Sequence, residues 1–261
     1  TIELITPAIA QSYLAMMKKN RKLNEFRVDL YANDIINDLW DATTGESIKF
    51  NLKSELIDGQ HRLSAIVKAG KPIMILVIRG CSEKSQSVID SGQARTGSQS
   101  LQLMGIEVNP REFSIFRAMF SSIDRMRRRD VSRSQLCELF PKYQDSVKFA
   151  SVQHGSNSQS ATQIRSLVAR AYYCGINTER LNRFLSILDT GISEHRTDAV
   201  VIAIRNHYLA NKTKDYAKLA IAYSKYMYGL NLFLNHSTNT SLRLSKEQLW
   251  KIFDLDGEGK L

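Results

Sequence analysis

Glu55-Leu56-Ile57-Asp58-Gly59-Gln60-His61-Arg62-Leu63 decides how this chain is read. Leu56 and Ile57 run into a glycine, and after it Leu63, Ile66 and Val67 recur at helical spacing. The stretch predicts a short strand, a turn at Gly59 and a helix from Gln60 to Ala69, with Gly70 as its C-cap. Two carboxylates, an amide, an imidazole and a guanidinium crowd that junction. A helix N-terminus offers backbone N–H groups to an anion, and glycine lets a ligand approach closely. Arg62 provides a planar fork for phosphate oxygens. His61 can donate to phosphate or shuttle a proton. Glu55 and Asp58 can hold magnesium through their oxygens, or orient a hydroxyl nucleophile. A plainer reading stands beside this one: Asp58 caps the helix, Arg62 pairs with it, and His61 lies on the surface.

Upstream, Thr6-Pro7 suits a helix start, with Ile9, Tyr13, Met16 and Met17 at helical spacing. A second helix is expected from about Arg27 to Trp40, with Leu30, Ile35, Ile36 and Leu39 inward. Ile48-Lys49-Phe50 alternates like a strand and Asn51 to Ser54 reads as a turn. Downstream, Ile73 to Ile78 is a continuous apolar run between Pro72 and Gly80, the pattern of a buried strand. Ser82 to Ile89 suits a short helix, 90–97 a polar loop, and Ser98 to Met104 another short helix. After Asn109-Pro110 the pattern is helical throughout, with segments near 110–128, 132–150, 160–174, 178–190, 197–211, 214–233 and 245–253. A Ser-rich loop is expected over Ser151 to Ser160. The expectation is therefore an α+β chain: a small α/β domain over 1–108 and an all-α domain over 109–261.

Leu56 to Leu63 resembles the signature box of the ParB/sulfiredoxin superfamily, in the branch that reads Asp-Gly-Gln-His-Arg. Asn20-Arg21 and Val88 to Thr96 resemble that branch's flanking motifs in phages and mobile elements. The resemblance spans most of residues 1–108 and implies a small α/β fold whose box cradles the phosphates of ATP or CTP with Mg2+. It implies nucleotide-binding roles for Gly59, Gln60, His61, Arg62, Arg95, Thr96 and Arg21. Catalytic roles fall to Glu55, Asp58 and His61, and metal-holding roles to Glu55 and Asp58. Sulfiredoxins carry a cysteine where Gln60 stands, so sulfinate reduction is not expected. The chromosome-partition box is richer in arginine, and no helix-turn-helix is visible. Free-serine kinases of the superfamily resemble the box more closely, with an acidic residue ahead of it where Glu55 stands.

The composition fits a globular protein: 261 residues, 43% hydrophobic, 24% charged. Three scattered cysteines argue against a disulfide framework or a Cys-rich zinc site. No apolar run approaches the ~20 residues of a membrane span, and no signal-peptide pattern opens the sequence. A cytoplasmic protein of a bacterial host, encoded by a phage or mobile element, is expected.

The net charge of +10 is uneven. Residues 1–108 hold 13 basic and 12 acidic side chains; residues 109–261 hold 23 and 14. Such a bias attracts polyanions, nucleic acid above all. The most basic run is Arg125, Arg127, Arg128 and Arg129, with Arg133 nearby. It reads either as a phosphate-backbone contact or as a solvated helix C-terminus. Arg165, Arg170, Lys212, Lys214 and Lys218 would widen such a footprint. Tyr223, Tyr226, Tyr228 and Phe233 read as helix-packing core before base-stacking platforms. Arg95 and Thr96 form a second phosphate loop or, more plainly, a surface loop with a cap at Thr96.

Together these readings give an NTP-dependent enzyme of DNA metabolism, hydrolase or phosphotransferase, including a kinase of modified DNA bases. The partners are DNA and a nucleoside triphosphate, with no membrane and with a homodimer left open. A non-enzymatic DNA-binding regulator and a metal-dependent nuclease are the alternatives.

Overall fold

A computed structural model of the chain describes residues 1–18, 22–82, 85, 96–120, 132–154, 161–213 and 215–244. It is a mixed α/β protein with one four-stranded sheet and ten α-helices among those residues. No helix there is long and apolar enough to cross a membrane. The chain divides into two compact units, 1–95 with 130–135, and 96–129 with 136–261. That division falls ahead of the change of sequence pattern at 108–109.

The first unit contains strand β1 (Ile2–Ile5), helices α1 (Pro7–Ala15) and α2 (Glu25–Ile36), strands β2 (Ser47–Asn51) and β3 (Leu56–Asp58), helix α3 (Gln60–Ala69) and strand β4 (Ile73–Cys81). The sheet order is β1-β4-β2-β3. β4 lies antiparallel to β1 and parallel to β2, and β2 and β3 form an antiparallel hairpin with a register shift at Lys49/Phe50. Alternation along β4 buries Ile73, Ile75 and Val77, which pack with Ile48, Leu63 and Ile66 in the core beneath the helices. β1 was not foreseen: Thr6-Pro7 marks the start of α1, and the four residues before it are a strand that pairs with β4. α2 starts at the Asn24 cap and stops at Ile36 rather than reaching Trp40. Its buried stripe is Val28, Ala32 and Ile35, at i, i+4 and i+7, and Ile36, expected inward, is 52% exposed.

The second unit is helical: α4 (Gly97–Leu103), α5 (Pro110–Met119), α6 (Arg133–Ser151, whose first three residues group with the first unit), α7 (Thr162–Tyr173), α8 (Thr178–Thr190), α9 (Ala199–Ala210) and α10 (Tyr216–Leu234). α7 is buried along almost its whole length and packs on α5, α8 and α10. Tyr223, Tyr226 and Phe233 are core, as their spacing suggested, and Tyr228 is half-buried. Arg165 and Arg170 do not widen a nucleic-acid footprint, because both are buried. Arg165 forks onto Asp189, at 2.6 and 2.8 Å, with neither side chain exposed, and Arg170 donates to the Met119 carbonyl at 2.7 Å. Lys212 and Lys218 are exposed.

Candidate functional site

The β2–β3–α3 segment sets the geometry. Gly59 ends β3 at φ +106°, in the left-handed region. A Cβ there would stand 3.1 Å from Ile48 Cγ1 and 3.2 Å from Ile48 Cα, so the strand-to-helix turn presses directly on β2. Glycine meets both demands, and it leaves the N-cap of α3 with no side chain over the first turn.

Asp58 is the hub of the junction. Its Oδ1 accepts the Gly59 N–H at 2.7 Å, its Oδ2 accepts from Lys49 Nζ at 2.9 Å, and Arg62 Nη2 reaches both oxygens at 3.3 and 3.4 Å. Arg62, buried on the first turn of α3, also donates through Nη1 to the Ser47 carbonyl and lies 2.9 Å from Glu46 Oε2. Glu46 is half exposed. Two cations and two carboxylates thus balance around the turn. Asp58 and Arg62 pair as the plainer reading held, although the helix caps at Gly59.

His61 departs from that plainer reading: it is buried, at 7% exposure. Its Nε2 accepts the backbone N–H of Asn24, the cap of α2, at 3.0 Å. That nitrogen is therefore the unprotonated one, and the ring joins α3 to the start of α2. Gln60 is buried beside it at the start of α3.

Glu55 is not brought to Asp58. It stands at the turn end of the hairpin, three residues of extended chain away, about 10 Å. Asn51 organises it: Asn51 Oδ1 accepts the N–H groups of Lys53 and Glu55, and Asn51 Nδ2 donates to Glu55 Oε2 at 2.9 Å. Lys18 Nζ sits 2.5 Å from Glu55 Oε1, and that bond, with Asn51's, holds the carboxyl below its usual range. Glu55 and Asp58 therefore do not share an ion. Among the described residues no group of three His, Cys, Asp or Glu is arranged to hold a metal. Thr96 caps α4: its hydroxyl accepts the Gln99 N–H, and the Gln99 side chain returns to the Thr96 N–H, a complete capping box. That is the plainer of the two readings of Thr96.

Arg21, Arg95, Arg125, Arg127, Arg128 and Arg129 lie outside the described residues, as do the side chain of Arg133, most of the Ser-rich loop and the helix expected at 245–253. Sequence reasoning missed Lys49, Glu46 and Asn24, which the fold places on Asp58, Arg62 and His61. Only Lys49 left a signal, a lone charge in an alternating strand; the others meet the box through tertiary contacts alone. Comparisons with protein-family models, with curated proteins and with solved structures find no match to this chain.

Proposed function

We propose that the β3–α3 junction is the phosphate-binding site of a ParB/sulfiredoxin-like nucleotide-binding unit, joined in one chain to a basic helical unit that binds DNA. The observation that carries this reading is the junction itself. A left-handed glycine opens a buried helix N-terminus, with Arg62 in the first turn and Lys49 across from it. The triphosphate of ATP or CTP, with its Mg2+, would compete with the half-exposed Glu46 for Arg62 and meet the first turn of α3.

The geometry favours binding over chemistry at the box. Glu55 is engaged by Lys18 and Asn51, and Asp58 and His61 hold the fold together. A base for hydrolysis or phosphotransfer would therefore have to be a residue other than Glu55, or Glu55 after its bonds to Lys18 and Asn51 break. The DNA-binding regulator, a nucleotide-responsive protein without turnover, is the second reading, and this internal pairing is what favours it.

The test is a thermal-shift and phosphate-release panel with ATP, CTP, GTP and UTP plus magnesium, with and without duplex DNA. Arg62→Ala is uninformative because it removes a structural ion pair. Glu46→Gln and Gln60→Glu are used instead. Removing the competing carboxylate should tighten nucleotide binding severalfold; adding a negative charge at the helix start should weaken it at least tenfold. Phosphate release that survives Glu55→Gln would remove Glu55 as the base. No shift with any nucleotide in wild type or Glu46→Gln would end the nucleotide reading.

A further inference from the structure

The sheet face turned away from the core carries a continuous apolar stripe. Alternation sends Ile5, Ile73, Ile75 and Val77 inward, and Ile2, Leu4, Met74, Leu76 and Ile78 to the opposite side. The register sets Leu4 beside Met74 and Ile2 beside Leu76. Leu52, from the β2–β3 turn, stands at the same end of β4 as Ile78: its Cδ2 lies 3.9 Å from where a Cβ on Gly80 would stand. The exposures are 56% for Ile2, 54% for Leu4, 45% for Met74, 37% for Ile78 and 75% for Leu52.

At roughly 100 Å² each, these five present about 500 Å², the size at which an apolar patch acts as an interaction site. A stable pairing buries about 800 Å² per partner, some 56–65% of it apolar, which is about 450–520 Å². The stripe matches one partner's share. Its members are uncharged, and Lys49, which borders Ile78 in the register, is already paired with Asp58. Residues 1–108 are close to neutral, with 13 basic and 12 acidic side chains, so two such faces meet without the repulsion that opposes contact between the basic halves.

We propose that this face is the contact between two copies of the chain, with β1 and β4 of one copy stacked on those of the other about a two-fold axis. The interface is isologous, each stripe packing on its own image at the usual sheet-to-sheet spacing of about 10 Å. Lys49 of the proposed phosphate site borders the stripe beside Ile78, but the contact rests on the apolar row and not on the nucleotide reading, and its test reads assembly alone.

The test is sedimentation velocity on the full chain from about 1 to 100 µM, a range that brackets ordinary dimer affinities. The samples are wild type, Leu4→Lys, Met74→Lys and a control, Met104→Lys, whose methionine is exposed in the helical unit. Wild type and the control should sediment at twice the monomer mass. The two stripe variants should dissociate at least tenfold more readily, with unchanged far-UV circular dichroism. Should a lysine variant lose its helical signal, Leu4→Ser and Met74→Ser give the same readout with less perturbation. A wild-type monomer across the range overturns the proposal, and so does a dimer that stripe variants leave equally tight.

Discussion

Replacing Asp189 with asparagine tests how the helical unit is held together. Asp189 and Arg165 are both fully buried. The carboxylate accepts three hydrogen bonds from two nitrogens: Arg165 Nη2, at 2.6 Å to Oδ1 and 2.8 Å to Oδ2, and the His154 backbone N–H at 2.9 Å. The other arm of the guanidinium donates to the Ala150 and Val152 carbonyls, at 2.7 Å each, so Arg165 cannot swing out to water without breaking those too. Asparagine keeps one acceptor oxygen and turns an NH2 toward the guanidinium. It also leaves Arg165 beside Arg111, whose guanidinium is already held below its usual range by burial first and by Arg165 second. Leaving one member of a buried pair uncompensated costs about 3–5 kcal/mol. At about 2–4 °C per kcal/mol for a chain of this size, the melting temperature should fall by about 10 °C. The assay is thermal and urea unfolding followed by circular dichroism at 222 nm, with Arg165→Met/Asp189→Leu as the second arm. The double variant removes both charges together and should be more stable than Asp189→Asn alone. A loss under about 1 kcal/mol for Asp189→Asn, or a double variant no better than the single, would refute the argument.

Three further outcomes follow from other contacts. Glu3, bonded chiefly by Arg79 and then Thr1, has its carboxyl lowered from 4.5 to about 2; it contributes stability above pH 4.5 that is lost as pH falls through that window. Glu3→Gln should flatten the urea-midpoint profile between pH 4.5 and 2, with an effect near pH 7 of about 1 kcal/mol or less, because Arg79 is half exposed. Asp34, inside α2, is the opposite case: burial raises its carboxyl above 3.8, only partly offset by the Ser132 hydroxyl that donates to it. Its contribution is complete below pH 3.8 and falls as pH rises through the raised value, so Asp34→Asn should gain stability relative to wild type at pH 7.5 and lose that gain at pH 3.5. Gly59→Ala should cost about 2 kcal/mol in urea unfolding, since the added methyl would meet the backbone of Ile48 and the φ of +106° is strained for alanine; an unchanged midpoint would show that the turn relaxes freely.

Much of the architecture was legible before any tertiary contact was known. The helices over 162–173, 178–190 and 199–210 declare themselves by apolar periodicity, the second also by its Asn177 and Gly191 caps, and the Ile73–Ile78 run by its length between Pro72 and Gly80. The junction at Gly59 was equally plain. β1 was not, because four residues ahead of a helix cap carry too little pattern; the strand exists by virtue of its pairing with β4. The end of α2 was misplaced because Leu39 and Trp40 extend its apolar spacing, whereas Trp40 leaves the helix and donates through its indole N–H to the Met74 carbonyl.

The roles within the box divide the same way. Residue type and spacing alone put a carboxylate, an amide, an imidazole and a guanidinium at the start of α3, because those are properties of the local chain. Tertiary structure alone gave each group its partner. It set Asp58 between Lys49 and Arg62, turned His61 onto Asn24, and held Glu55 at the far end of the hairpin with Lys18. Likewise charge counting marked Arg165 as a surface cation, and only packing showed it enclosed with Asp189. Local sequence determines which groups a turn can offer. Which of them remain available to a ligand depends on side chains brought in from elsewhere in the chain, and a buried charge is stable only where such a partner neutralises it.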